Sequence, residues 1–289
     1  MITVIGIYLF IVVGFFAKKI FKEIEGKTLV ILSTYFLQPF LTLWGIMLVP
    51  IDFNLLLSPL IYLIAVFLGF VVAFFAFNFK DKKTKTIAVI TPLIGNTGNL
   101  GIPLSYALFG DVGASIATMI NLANVFFIYS FGIFFFAKGK YDFKEAFGKI
   151  IKIPVMWFGI LALFLNLEGI EFNKDIMKIL QMGAYASIVI QLVIFGVYLA
   201  EAKIKEVEKS LALVVLFNKF MLLPFITFIL LKFFPLPPIY SKTILLEVST
   251  PLAVTNVNLA ALFDLYPQKV AFLVVVSSVL FLGVAFLYI

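Results

Sequence analysis

The chain of 289 residues contains no cysteine and no histidine, and only 13% of its residues are charged. Their absence excludes disulfides, thiolate nucleophiles, imidazole bases and most transition-metal sites. Arginine is also absent, so all 22 basic residues are lysine. The sequence shows no phosphate-binding loop, metal-ligand pair or catalytic triad. We therefore expect neither an enzyme nor a protein with a metal or a resident cofactor.

Apolar residues make up 63% of the chain, and its mean hydropathy of +1.17 is far outside the soluble range. Long apolar runs of helical length recur, whereas a membrane barrel would show short alternating strands. The composition thus predicts an all-α, multi-pass protein of the plasma (cell inner) membrane. The net charge of +7 indicates the anionic inner leaflet of the lipid bilayer as a partner, and not nucleic acid.

Charge clusters divide the chain into ten candidate spans, which are residues 2–17, 28–49, 55–79, 86–109, 113–137, 151–167, 176–200, 211–232, 241–264 and 269–288. Of the lysines, 17 lie in the odd-numbered connections and 4 in the even-numbered ones. The positive-inside rule therefore places the odd connections in the cytoplasm and both termini outside. Because the first run lacks a basic region before it and a cleavage site after it, we expect a retained span.

An odd number of spans in each half means that the two halves enter the membrane in opposite directions. We therefore expect an inverted repeat, with residues 1–149 holding spans 1 to 5 and residues 150–289 holding spans 6 to 10. In support, TPLIGNTGNLG from Thr91 aligns with TPLAVTNVNLA from Thr250 at Thr, Pro, Leu, Asn and Leu. Both segments lie in the fourth span of their half.

The composition of the first of these segments, Thr91 to Leu104, disfavours a continuous helix. Its helix-breaking residues are Pro92, Gly95, Gly98, Gly101 and Pro103. At bilayer depth such backbone survives only inside protein or beside a watery cavity. We expect a broken helix in which Asn96, Thr97 and Asn99 replace the water shell of an ion or organic anion. The alternative is a glycine motif for helix packing.

The second segment contains Pro251, followed by Thr255, Asn256 and Asn258. We expect a milder break here, with similar chemistry. Two such half-helices that cross at the midplane would direct their N-termini and several carbonyls into one cavity. An ordinary proline kink is the alternative.

Two charged residues, Lys219 and Glu247, lie well inside predicted spans rather than at their ends. Lys219 is expected to act as a counter-charge for an anionic substrate, or else to snorkel to the inner surface. Glu247 is expected to be a proton-coupling site, a cation ligand or a partner of Lys219, or else an exposed carboxylate near the outer surface.

Polar residues recur at helical spacing in three further spans. They are Thr34, Gln38 and Thr42 in the second, Thr118, Asn121 and Asn124 in the fifth, and Gly183, Ser187 and Gln191 in the seventh. Each set forms one face turned away from lipid. The polar faces that contain Gln38 and Gln191 could serve either interhelical hydrogen bonding or substrate contact. Asn121 and Asn124 in the fifth span favour a substrate-binding site. Trp44 and Trp157, near span ends, are expected to anchor the protein at the interface.

The motifs resemble those of the auxin efflux carrier family, which includes PIN-type plant carriers and prokaryotic dicarboxylate permeases. GNTGNLGIPL, from Gly95 to Leu104, is similar to the broken fourth helix of the family, and STPLAVTNVNLAALF, from Ser249, is similar to the ninth. YFLQPFL in the second span, IFGVYLA in the seventh, and Lys219 with Pro224 in the eighth add to the resemblance.

The resemblance implies a secondary carrier with a fold like that of bile acid symporters and with crossed broken helices 4 and 9. Helices 1, 2, 6 and 7 would form a scaffold, and helices 3 to 5 and 8 to 10 would form a transport domain that moves like an elevator. Asn96 falls on the family's crossover asparagine, and Pro251 on its second crossover proline. The third span lacks the acidic residue of PIN-type carriers, so coupling to H⁺ or Na⁺ stays open.

We therefore expect secondary active transport of small organic anions, such as carboxylates, by alternating access. The partners expected are the organic anion, the bilayer and a second copy bound through the scaffold helices. A sodium-coupled symporter of the bile acid type is one alternative, and a membrane receptor or scaffold without transport is another.

Overall fold

The computed structural model of the chain describes residues 2–136, 154–201 and 207–285. Throughout these ranges the chain is helical, and its one β-type pairing is an isolated bridge. The basic connection from Lys138 to Lys152 and the loop residues Lys203 and Lys205 lie outside the described residues. The all-α class predicted from the composition is thus confirmed.

The α-helices of the described ranges are numbered in chain order. They are α1 (Ile2–Ile20), α2 (Gly26–Leu32), α3 (Gln38–Met47), α4 (Phe53–Ala76), α5 (Lys82–Ile90), α6 (Ile102–Phe127), α7 (Ile133–Phe136), α8 (Pro154–Leu167), α9 (Lys174–Glu201), α10 (Lys209–Phe217), α11 (Leu223–Phe233), α12 (Pro238–Ser249), α13 (Thr255–Leu262) and α14 (Pro267–Ala285). Each predicted span contains one or two of them. Gly110, with a φ angle of 64°, interrupts α6 where two predicted spans meet.

In the part of the chain that the structure describes, six helical segments are long and apolar enough to cross a membrane. They are Gly26–Met47, Phe53–Ala76, Thr97–Phe136, Lys174–Glu201, Lys209–Phe233 and Pro267–Val284. Helix α8 is apolar but shorter. Within the described residues these segments establish several membrane crossings by length and composition.

Wide π-helical turns join several of these helices, at Ser33–Leu37, Thr97–Gly101, Ile128–Gly132 and Asn218–Leu222. Three of the turns end two residues before a proline, namely Pro39, Pro103 and Pro224. A proline lacks the backbone N–H, and its ring clashes with the carbonyl four residues earlier, so the preceding turn widens. The expectation that Pro103 breaks its helix is therefore wrong, because the widened turn leads directly into α6.

Both expected breaks are present, and in each of them the helical conformation stops before the next helix begins. After α5, a 3₁₀ turn at Thr91–Leu93 leads into non-helical backbone at Ile94 and Asn96. The second break runs between α12 and α13, so it is not the milder kink expected from one proline. Thr250, with φ −54° and ψ 148°, is extended because the following Pro251 excludes the helical conformation.

The two breaks cross each other through an antiparallel bridge between Gly95 and Leu252. The N–H of Asn96 donates to the carbonyl of Pro251 at 2.8 Å, and the N–H of Ala253 donates to the carbonyl of Ile94 at 3.0 Å. The sequence alignment instead pairs Gly95 with Val254, two residues away from the partner in the bridge.

The helices pack in two groups. In one, α9 lies along α1 and α3, and α8 packs on α3; in the other, α6 and α11 each pack on α4 and α12. The closest approach is between α1 and α9, where a Cβ atom on Gly196 would lie 2.7 Å from the backbone nitrogen of Phe15. Glycine is required at this position because the two helix backbones are in contact.

We expect Gly196→Ala to lower the unfolding temperature of the detergent-purified protein. The added methyl group would meet backbone atoms that cannot rotate away, and such overpacking costs about 1–3 kcal/mol. Gly283→Ala is the matched control, because nothing lies within 4 Å of a Cβ atom built there. Equal melting temperatures for the two variants, measured by differential scanning fluorimetry, would contradict this packing.

Candidate functional site

A cavity of about 110 Å³ lies against the crossing. One water needs about 10–15 Å³ on a comparable scale, so the cavity has room for several waters or a small organic ion. Its polar lining comes from both breaks and from three other segments, and comprises Ser33, Thr34, Gln38, Asn96, Thr97, Asn99, Asn121, Asn124, Tyr129, Tyr198, Thr255 and Asn258. Within the described residues no charged side chain lines it.

Asn96 lines the cavity from the non-helical part of the first break. Its side chain is buried, with 3% of its surface exposed, and its amide nitrogen has no hydrogen-bond partner among the described residues. A buried donor without a partner costs about 1–3 kcal/mol. Asn96 therefore combines a position in the cavity lining with a buried amide donor that the described residues leave unsatisfied.

Thr97, in the first break, belongs to a buried network with two asparagines of α6. The hydroxyl of Thr97 donates to Oδ1 of Asn121 at 2.9 Å, and Nδ2 of Asn124 donates to the Thr97 hydroxyl at 2.9 Å and to the carbonyl of Gly95 at 3.0 Å. Tyr62 on α4 donates to Oδ1 of Asn124 at 3.1 Å. Asn121 and Asn124, predicted from their helical spacing, thus hold the break in shape as well as line the cavity.

Asn256 differs from its neighbours in the second break. Thr255 and Asn258 line the cavity, but Asn256 does not. Its amide nitrogen donates to the carbonyls of Thr91, Ile94 and Ala253 at 3.0–3.3 Å. The expectation of a ligand contact is therefore wrong for Asn256 in this conformation, because its donors bind the backbone of both breaks.

Two helix N-termini meet at the cavity. The π-helical turn that leads into α6 begins at Thr97, and α13 begins at Thr255. The first amides of a helix have no acceptor within the helix, and the helix dipole adds partial positive charge there. Together with the Asn96 amide, these groups favour a negatively charged ligand.

The glycines of the first break make room for polar groups. A Cβ atom on Gly95 would lie 2.9 Å from Nζ of Lys219, one on Gly98 would lie 2.8 Å from Oδ1 of Asn121, and one on Gly101 would lie 2.6 Å from Oε1 of Glu247. Any larger residue at these positions would displace a polar side chain. Close packing and a polar site, given above as alternatives, thus occur together.

The opposite wall of the cavity comes from α2, α8, α9 and the turn before α3. Gln38 lies on it, as do Ser33 and Tyr198, which the sequence did not single out. Gln191 does not, because its side chain is buried and its Nε2 donates to Ser187 at 2.6 Å. Tyr198 belongs to the IFGVYLA motif, and that motif could have identified it as a residue of the site.

Lys219 and Glu247 are buried behind the crossing, with 1% and 0% of their surfaces exposed. Snorkelling of Lys219 and surface exposure of Glu247 are thereby excluded as interpretations. Neither residue lines the cavity, so direct contact with a ligand there is also wrong for this conformation. Only Gly95 separates Lys219 from the cavity, because the Nζ atom of Lys219 lies against that residue.

The surroundings of the cavity differ at its two ends. A space of about 720 Å³ shares Val30, Tyr198 and Asn258 with the cavity and extends to Glu25 and Glu201. Towards the other end of α9, Tyr185 and Tyr106 share a hydrogen bond of 2.8 Å between their hydroxyls, and Trp44 packs edge-on against both rings. Trp44 is only 1% exposed, so it is not the interface anchor that was expected.

A buried polar cavity formed by two interrupted helices in a membrane protein is typical of transport proteins. The chain belongs to the membrane transport protein family, which matches it over residues 1–289. It is also similar to the uncharacterized transporter MJ1031 of Methanocaldococcus jannaschii, with 26% identity over 284 residues that cover 93% of this chain and 91% of the relative.

The family match confirms the resemblance to auxin efflux carriers inferred from the motifs. The protein is a multi-pass integral membrane transporter and not an enzyme.

We expect Asn256→Ala to destabilise the protein by about 1–3 kcal/mol, because it removes the side-chain hydrogen bonds to the carbonyls of Thr91, Ile94 and Ala253, each of which contributes about 0.5–1.5 kcal/mol. Thermal unfolding in detergent micelles measures the effect. Asn258→Ala is the control, since its exposed side chain allows a change of only about 0.5 kcal/mol. A melting temperature for Asn256→Ala equal to that of the control would show that the crossing does not need this amide.

Proposed function

We propose that the protein is a secondary active carrier of small organic anions, which bind in the cavity between the crossed breaks and the wall formed by α2, α8 and α9. The observation that carries the proposal is the unpartnered amide donor of Asn96 beside two helix N-termini. The cavity lining supplies donors and no acidic group among the described residues. This chemistry binds a carboxylate better than a cation.

Lys219 strengthens the preference for an anion without touching it. Its ammonium group lies behind Gly95, on the opposite side of the backbone from the cavity. A positive charge in this low-dielectric region acts over several ångströms because water does not screen it. The cavity volume of about 110 Å³ indicates a carboxylate of a few carbon atoms.

An inverted repeat of five helices per half would account for the crossing. The bridge between Gly95 and Leu252 is antiparallel, and each break contributes one N–H and one carbonyl to it. This is the pattern produced by a two-fold axis in the membrane plane. In the resulting ten-helix topology both termini lie outside, and the repeats meet between α7 and α8.

The two packing groups correspond to a scaffold and a transport domain. Helices α1, α3, α8 and α9 pack on one another, whereas α4, α6, α11 and α12 surround the crossing. The cavity lies between the groups, and the amide network belongs to the second one. Elevator movement would therefore carry the ligand-binding groups past the scaffold wall with their hydrogen bonds intact.

With the predicted topology, this conformation would be inward-facing. The space of about 720 Å³ beside the cavity reaches Glu25 and Lys27, in the predicted first cytoplasmic connection. The cluster of Trp44, Tyr106 and Tyr185 joins the scaffold to the moving group on the other side. Coupling to H⁺ or Na⁺ would drive the cycle, and two copies would associate through the scaffold helices.

We expect Asn96→Ala to weaken binding of the transported anion about 10- to 100-fold, because a hydrogen bond to a charged group contributes about 1.5–3 kcal/mol. A thermal-shift screen of short mono- and dicarboxylates against the purified protein identifies the ligand. Uptake of that labelled ligand into proteoliposomes then tests transport.

Asn78→Ala is the matched control, because Asn78 is an exposed loop residue. Its uptake should equal that of the wild type. Normal uptake by a folded Asn96→Ala variant would refute the site, and the absence of any carboxylate shift or uptake in the wild type would refute the substrate class.

A further inference from the structure

Glu247 occupies an unusual position on the far side of the crossing from the cavity. It lies near the end of α12, where its backbone carbonyl accepts from the N–H of Thr250 at 3.3 Å and from the Thr250 hydroxyl at 2.7 Å. Its carboxylate rests on Gly101, at the end of the first break. One side chain thus contacts both interrupted helices.

The two carboxylate oxygens of Glu247 differ in their surroundings. Oε1 accepts a hydrogen bond from the Ser105 hydroxyl at 2.9 Å. Oε2 is buried and has no hydrogen-bond partner among the described residues. A fully buried carboxylate with one unsatisfied oxygen is costly when it is charged, whereas a proton on Oε2 removes the charge.

Few titratable residues of the neighbouring helices are buried with Glu247. They are Lys219, in the turn before α11, and Tyr62 on α4, whereas Ser105 on α6 donates to Oε1. The other titratable residues of α6 are Tyr106 and Asp111, and those of α12 are Tyr240 and Lys242, none of them fully buried. The titratable residues of α11 and α14 are Lys232 and Lys269, which lie at helix ends. Within the described part of the chain, Lys219 and Glu247 form no direct ion pair.

The surroundings of Oε2 fit a proton better than a divalent metal cation. Hard cations such as Ca²⁺ and Mg²⁺ take about six or more oxygen ligands. Here the adjacent residue is Gly101, which has no side chain, and the nearby hydroxyl of Ser105 already donates to Oε1. The described residues contain no group of three or more acidic side chains that could hold a metal ion.

We infer that Glu247 is the proton-exchange site of the carrier, so that each organic anion moves together with one proton. A proton from water forms a bond to Oε2 when the anion binds, and it returns to water when the anion leaves; no electrons are transferred. This assignment rests on the proposed function, and it names the coupling ion and its residue.

The coupling follows from charge balance across the crossing. While Glu247 is ionised, it offsets the positive charge of Lys219 behind Gly95. Protonation of Glu247 removes this negative charge, and the buried ammonium of Lys219 then needs another anion nearby to stay ionised, which favours an anion in the cavity. By reciprocity, a bound anion favours protonation of Glu247 to the same extent.

The first experiment needs no transported ligand. Infrared spectra of the purified wild type in lipid nanodiscs are recorded across a pH series, and the carbonyl band of a protonated carboxylic acid is followed. We expect one buried acid band that disappears as the pH rises, is lost in Glu247→Gln, and is retained at a shifted frequency in Glu247→Asp. Identical spectra for wild type and Glu247→Gln at every pH would overturn the assignment.

The second experiment measures affinity for the carboxylate found in the screen, at pH values where that ligand is fully ionised. For one coupled proton, the wild type should lose up to tenfold in affinity per pH unit once Glu247 ionises. Glu247→Gln, which keeps the shape of the side chain, should change less than threefold. The exposed Glu168→Gln is the matched control and should follow the wild type.

The two proposals fail in different ways. A titrating Glu247 band without any carboxylate binding would refute organic-anion transport and leave the proton site standing. Carboxylate uptake whose pH dependence is the same in wild type and Glu247→Gln would refute the proton site and leave the carrier function standing.

Discussion

The structure depends on one constraint, which is that backbone groups at bilayer depth have no water to bind. A helix that stops there must pair its free amides and carbonyls elsewhere. The two breaks pair with each other, through Asn96 with Pro251 and Ala253 with Ile94. Asn124, Asn256 and Ser277 supply the remaining partners. Because these hydrogen bonds fix the backbone of both breaks, they also direct two helix N-termini at one cavity.

Asparagines that look alike in the sequence divide into two kinds of role. The amide nitrogens of Asn124 and Asn256 are used on backbone carbonyls and stabilise the crossing. That of Asn96, a residue of the cavity lining, has no partner among the described residues. A rigid frame with one free donor is the arrangement expected of a binding site, since the ligand need not pay for ordering the groups that hold it.

The two buried charged residues lie on the side of the crossing that the ligand does not reach. Gly95 and Gly101 leave room for Lys219 and Glu247 against the backbone, so that one charge lies behind each end of the first break. These charges act on the cavity through a thin, low-dielectric layer. The arrangement separates the groups that contact a ligand from those that set the local charge, and it lets a change at Glu247 influence binding without direct contact.

The sequence alone determined the helical membrane class, the places where two helices stop, and most of the polar residues near them. These are local properties, because apolar length, proline and glycine act within a few residues. Only the tertiary structure decided the register of the crossing, the structural use of Asn256, the burial of Trp44, and the depth of Lys219 and Glu247. Each depends on residues distant in the chain, as when Glu247 comes to rest on Gly101 and Tyr62 reaches Asn124.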